Sequence, residues 1–392
     1  MKKVVLFLFT VLFFCQPLKK SFGEEVVIKD PRSVCVIVNR DSNDISFMDL
    51  KTKKIVGRVF LGKWVNPHMA AMTPDGRRVV TGGTRANKAY IIDVATMKLI
   101  KTIPVDIAPE HLAVTPDSRF YYQGNPDGDS VSIIDLVSLK LIKNLRGFAE
   151  PLNITFLPDG SKAYVANYGA HWVGVIDVKR HELLKKIRIR AVPGVSKLDP
   201  KKYLSDIRGI SNASITRDGR YLYAADGDLG VVGVIDTRED KIVKVIKVGA
   251  DPWRAYPSSD GTKMVVPNNG DETISIIDIK KNKVVATLEA GPDMVGVNFS
   301  HNKAFVISNS SSFVYVYDLK KLKPAGRIKI GTNLELQTAA TSADGEKMYL
   351  TSATDHSLYI IDGKTNEFER VADVGLYPWG SFVLEGRDNY CH

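Results

Sequence analysis

Cysteine is scarce. Three occur in 392 residues, and none belongs to a Cys-x-x-Cys-His pattern, so covalent attachment of a c-type haem is excluded. There is no His-Glu-x-x-His and no paired-cysteine zinc spacing. No third metal ligand is evident in sequence beside any pair of histidines. Nucleic-acid modules are missing as well: the chain has no zinc knuckle and no basic helix with interleaved aromatics. No apolar run reaches the roughly 20 residues that a membrane-spanning helix needs. No segment carries a long amphipathic helical pattern, which leaves strands as the building material.

The longest apolar run, Val4 to Phe14, follows Lys2-Lys3 and precedes the small residues of Ser21-Phe22-Gly23. That order is the pattern of an export signal, with cleavage expected after Gly23. The mature chain, residues 24–392, is then expected in the periplasm as one domain. Cys15 raises the alternative of a lipid anchor, but Phe13-Phe14 stand where a lipobox wants small residues. The formal charge is +10, and four lysines (Lys2, Lys3, Lys19, Lys20) lie in the signal, leaving 10 − 4 = +6. A modest basic excess fits an anionic ligand or simply a solvated face.

What the chain has in abundance is a repeated strand ending in Asp. It appears as Ile45-Ser46-Phe47-Met48-Asp49, Tyr90-Ile91-Ile92-Asp93, Ser132-Ile133-Ile134-Asp135 and Gly174-Val175-Ile176-Asp177. It returns as Gly233-Val234-Ile235-Asp236, Ser275-Ile276-Ile277-Asp278, Tyr315-Val316-Tyr317-Asp318 and Tyr359-Ile360-Ile361-Asp362. Successive aspartates are 44, 42, 42, 59, 42, 40 and 44 residues apart by subtraction. Eight units of several short strands at this period predict an eight-bladed β-propeller, all-β, with four antiparallel strands per blade.

The phase of the ends matters. The chain enters at a strand b (Val34 to Val38) and leaves on a strand a (Pro378 to Leu384). The last strand is therefore expected to complete the first blade and close the ring, removing two open sheet edges. Cys35 and Cys391 would both lie at that seam. A disulfide there is one reading, and two unpaired thiols, one of them buried, is the other. The 59-residue step signals an insertion of about 17 residues, between 190 and 208, in a d-to-a connection.

Strands a line the channel of a propeller, so their first residues form a ring at its mouth. In order these are His68, His111, Asn153, Asn212, Trp253 with Arg254, Asp293 with Met294, Glu335 with Gln337, and Trp379. Two histidines at matching places in neighbouring blades could converge on one point, as metal ligands or as acid and base. The alternative is two loop histidines bonded to backbone.

The unit resembles the YVTN propeller repeat, on Ala163-Tyr164-Val165-Ala166-Asn167 and the strands ending Ile-Asp, from about residue 33 to the end. More narrowly the chain resembles the eight-bladed propellers of the cytochrome d1 group, in the placement of His68 and His111. The segments Tyr377-Pro378-Trp379-Gly380 and Tyr390-Cys391-His392 are similar to the single-domain members of that group that serve haem d1 biosynthesis. The first blade begins directly after the export segment, unlike the nitrite reductase, which carries a cytochrome domain. The resemblance implies non-covalent binding of haem d1 or a precursor at the channel mouth. It also implies a late maturation step, catalytic or as a carrier, in support of cytochrome cd1 nitrite reductase and beside other haem d1 biosynthesis proteins. It casts His68 and His111 as axial ligand or acid and base. Arg254 and Arg208 would hold carboxylates. Trp253 and Trp379 would cover the macrocycle, with Asn153 and Gln337 lining the site. Two other classes remain open: a non-enzymatic scaffold propeller, and a lactonase- or lyase-type hydrolase drawing on Asp226, Glu335 or Asn269.

Overall fold

The computed structural model describes residues 26–190 and 208–387. The export segment, most of the 190–208 insertion and Cys391 lie outside them, and with Cys391 the expected disulfide. The described residues form eight four-stranded antiparallel sheets, the blades of a propeller. Blade 1 is built as the phase of the ends predicts. Its strands b, c and d are Val34–Asn39, Asp44–Asp49 and Ile55–Phe60, and its strand a is Pro378–Val383 from the other end of the chain. Cys35 pairs with Val383, and Ile37 with Ser381.

Each blade buries both faces of its middle strands against its neighbours. Strand b of blade 1 is buried at every position. Its alternate residues serve different interfaces, because successive side chains point to opposite sides of a strand. Val34, Val36 and Val38 pack with Tyr90 and Ile92 of blade 2. Cys35 and Ile37 pack with Tyr349, Leu358 and Ile360 of blade 8. This is why strands b and c read as nearly continuous apolar runs rather than as alternating ones. Strand d is the outer edge, and most of its residues are exposed. In blade 5 it is Lys241–Lys247, Lys-Ile-Val-Lys-Val-Ile-Lys, with the lysines outward. Charged outer strands keep the sheet edges from pairing with other chains, which accounts for much of the basic excess.

The signature residues have local work. The Asp that ends strand c accepts hydrogen bonds from the following turn: Asp49 takes Thr52 N–H at 2.7 Å, and Asp93 takes Thr96 N–H at 2.8 Å. The a-to-b turns repeat a Thr/Ser-x-Asp clasp, as in Thr73 to Asp75 at 2.6 Å and Ser258 to Asp260 at 2.7 Å. The Asn that ends strand b reaches the Ser of strand c, as Asn39 does to Ser46 at 2.8 Å and Asn125 to Ser132 at 2.8 Å.

One expectation is corrected in detail. Strand a of blade 6, which Trp253 and Arg254 were expected to open, is regular only over Tyr256–Pro257, with an isolated bridge from Pro252 to Asn268. Trp253 and Arg254 lie in the irregular stretch between.

Candidate functional site

Five of the eight blades reach the channel mouth through the same local structure. The chain arrives there through a residue with left-handed backbone followed by proline: Asn66-Pro67, Ala108-Pro109, Glu150-Pro151, Asp251-Pro252 and Tyr377-Pro378. Strand a then often skips a register against strand b. The skip falls between Pro67 and Ala70 in blade 2, Pro151 and Ile154 in blade 4, Leu336 and Ala339 in blade 8, and opposite Val38/Asn39 in blade 1. His68, Asn153, Gln337 and Trp379 all sit in these bulges. A bulge re-aims the side chain it carries, and such features cluster beside functional sites.

The closing of the ring brings blades 3, 2, 1 and 8 together at one side of the mouth. The His68 and His111 rings stand 5.7 Å apart, tilted by 46°. Trp379 lies 5.1 Å from His68 on its other side. Tyr377 stacks on Trp379 at 6.0 Å and 18°. The Arg40 guanidinium, from the b-to-c loop of blade 1, covers the Trp379 ring at 4.6 Å. Tyr377 donates to Glu335 at 2.6 Å, and the Gln337 amide reaches the same carboxylate at 3.3 Å. The Tyr377 hydroxyl is pushed up to about 12, by burial first and by that carboxylate second.

His111 is held from behind. Gln123 Nε2 and the Gly124 amide both donate to its carbonyl, at 2.9 and 2.7 Å. Gly82, opposite the His68 bulge, allows the 109–111 segment to come close. A Cβ there would meet Pro109 O at 2.9 Å and Gln123 Oε1 at 2.5 Å.

Glu110, which the sequence reading passed over, completes this group. One ligand atom from each of His68, Glu110 and His111 lies within 4.8 Å of the other two. The expectation that no third ligand accompanies the pair is thereby overturned. The reason is local: in Pro109-Glu110-His111 the bend before strand a turns both neighbours toward the same space. Burial raises the Glu110 carboxyl to about 7, Asp127 and Glu150 add to the rise, and Arg40 opposes it.

Beside this group a cavity of about 570 Å³ opens on the same face, lined by Arg40, Lys63, Trp64, Asn66 and Arg85 among others. Trp64 is 74% exposed at its rim and has left-handed backbone, a conformation bulky residues rarely take. Asn43 Oδ1 fixes that loop by accepting from the amides of Val65 and Asn66, both at 2.8 Å. The larger cavity of about 580 Å³, around Lys263 and Lys303, sits among the a-to-b turns on the opposite face. Donors of several kinds converge on the histidine face.

The remaining expected residues occupy the other side of the mouth or the wall. Trp253 of blade 6 stands edge-on to Tyr168 at 6.1 Å. Arg208 forms a two-pronged pair with Asp251, at 3.1 and 2.8 Å. Arg254 is only 3% exposed, with its guanidinium 5.1 Å from the Tyr256 ring centre and its Nε 3.3 Å from Ser214. Asn153 accepts from the Ala213 amide at 3.2 Å, which ties blade 4 to blade 5. His171 meets the fully buried Asp226 at 2.9 Å, and that carboxylate raises the imidazole above its ordinary value. The cations that line the cavity are thus Arg40, Lys63 and Arg85. Arg40 and Arg85 come from b-to-c loops of the mouth face, and Lys63 from a d-to-a loop.

No protein-family model matches the chain, and neither does any curated protein sequence. Solved structures do. The fold is similar to that of a dihydro-heme d1 dehydrogenase, NirN, in complex with DHE, with TM-score 0.74 and 17% identity over 91% of this chain and 76% of that one. It is similar to a hydrazine synthase of Kuenenia stuttgartiensis, with TM-score 0.56 and 21% identity over 79% of this chain and 96% of that one. A functionally unknown protein of Desulfotomaculum acetoxidans gives TM-score 0.56 and 17% identity over 76% and 95%. At these identities the likeness establishes the fold.

Proposed function

We propose that this chain is a periplasmic tetrapyrrole-binding propeller, similar to NirF, that holds haem d1 or a late precursor non-covalently and serves its maturation for cytochrome cd1 nitrite reductase. The observation that carries the reading is the pair of imidazoles 5.7 Å apart, flanked by Trp379, at the mouth of an eight-bladed ring. A protein named as a dihydro-heme d1 dehydrogenase shares that fold, which supports the assignment of ligand class.

The donor set fits the group. Imidazole nitrogen suits iron, and the stacked pair of Tyr377 and Trp379 would border a macrocycle beside the imidazoles. Arg40, Lys63 and Arg85 around a cavity of about 570 Å³ suit peripheral carboxylates. When bound, the iron macrocycle supplies the redox capacity. The chain's own residues bind, orient and manage protons. His68 or His111 would offer an imidazole nitrogen to the iron or act as acid or base, beside the Glu110 carboxyl, which burial raises to about 7. Arg40, which lies over Trp379 and lines the cavity, would pair with a carboxylate of the macrocycle.

Visible absorption during titration with haem d1, and with haem b as a comparison, tests the reading. A saturable shift with haem d1, weaker with haem b, is expected. A folded protein that shifts neither spectrum would return the chain to the scaffold class.

A further inference from the structure

We propose that His68, Glu110 and His111 form a site for one divalent first-row metal ion, zinc or cobalt in type, which the chain can hold without any tetrapyrrole. Two imidazoles and one carboxylate offer ligand atoms that all lie within 4.8 Å of one another. Binding such an ion requires each atom to come to about 2.0–2.2 Å from it. Side-chain rotation would have to draw the three atoms inward, on a backbone whose two sides are held by hydrogen bonds. The Glu110 amide donates to Gly124 O at 3.1 Å, and the Gly124 amide donates back to His111 O at 2.7 Å. On the His68 side Thr81 Oγ1 donates to Met69 O at 2.5 Å, across the bulge. Ligands carried on rigid elements need little reorganisation on binding.

The local field points the same way. The chain as a whole is basic, yet Glu110 is surrounded by the carboxylates of Asp127 and Glu150, with Arg40 opposing them. A dication placed between Glu110 and the imidazoles would answer that negative charge. Two histidines and one carboxylate leave coordination positions open, so the ion would keep exchangeable water or take a substrate oxygen. The inference goes beyond the tetrapyrrole reading. It uses the same imidazoles, so metal ion and tetrapyrrole would compete, but it makes Glu110 a metal ligand, a role the tetrapyrrole reading does not give it.

The test is calorimetric titration of the chelator-stripped mature protein with zinc chloride, and visible absorption with cobalt chloride, beside Glu110→Gln, His68→Ala and His111→Ala. Circular dichroism confirms that each variant is folded. One ion per chain is expected, with binding abolished by either alanine. Glu110→Gln should weaken it at least about tenfold, since even outer-shell partners of metal ligands cost that much. No saturable uptake by the wild type at millimolar metal, or uptake unchanged in Glu110→Gln, would overturn the proposal. Haem d1 titration of the metal-free wild type, read separately, keeps failure of this site distinct from failure of the tetrapyrrole reading.

Discussion

The seam of the ring is the place to perturb. Val383 is 2% exposed, in strand a of blade 1, and packs with Cys35, Ile37, Tyr349 and Leu358 between blades 1 and 8. Val383→Ala removes two methylene equivalents, worth about 1.6 kcal/mol in transfer at ~0.8 kcal/mol each. A residual cavity of roughly 40 Å³ adds about 1 kcal/mol at ~24 cal/mol per Å³. The expected loss is about 2.5 kcal/mol in equilibrium urea unfolding, in the range seen for large-to-small core substitutions. Val243→Ala, chemically the same change at a half-exposed outer strand, should cost under about 0.5 kcal/mol. Because Val383 pairs with Cys35, amide exchange should also quicken selectively in Val34–Asn39. A loss below about 0.5 kcal/mol, or exchange unchanged in that strand, would refute the view that this strand holds the ring shut.

Other outcomes follow from the same geometry. Gly82→Ala should displace the 109–111 segment, lowering stability and haem d1 affinity together, whereas Gly326→Ala, with nothing near its Cβ position, should leave haem d1 affinity unchanged. In metal-free protein, Glu110 is raised from 4.5 to about 7 on folding, so the stability it confers is complete below pH 4.5 and lost as pH rises through 7. Glu110→Gln should therefore gain on the wild type across that window in chemical denaturation, and a constant difference would contradict this. His171 is raised from 6.5 by its bond to Asp226, so its contribution is full below that value and fades as pH climbs through the raised one. A proton NMR titration midpoint at or below 6.5 for His171 would disprove the pairing. The proposed Cys35–Cys391 bridge predicts no free thiol from that pair in denatured, unreduced protein.

The architecture was legible because it repeats. Strands ending in Ile-Asp at a constant step announce blades, and a chain that enters on strand b and leaves on strand a announces how the ring closes. The positions of His68, His111 and Trp379 at the mouth were legible for the same reason. Their convergence was not, because it depends on bulges and left-handed residues that no period encodes. Glu110 was missed since a carboxylate beside a histidine is unremarked until the bend before strand a aims both inward. Arg254 looked available in sequence, but its strand opens into an irregular stretch and buries it under Tyr256. Trp64 and Lys63 were overlooked because they lie in a d-to-a loop, outside the aligned repeat positions.

The central claim is that the imidazole pair receives a d1-type tetrapyrrole at the channel mouth. Its most direct test is the absorption titration of wild type, His68→Ala and His111→Ala with haem d1 under one condition. The account predicts a saturable spectral shift in the wild type that either substitution alters in wavelength or weakens at least about tenfold, about 1.4 kcal/mol. Identical spectra and affinities in all three folded proteins would contradict it.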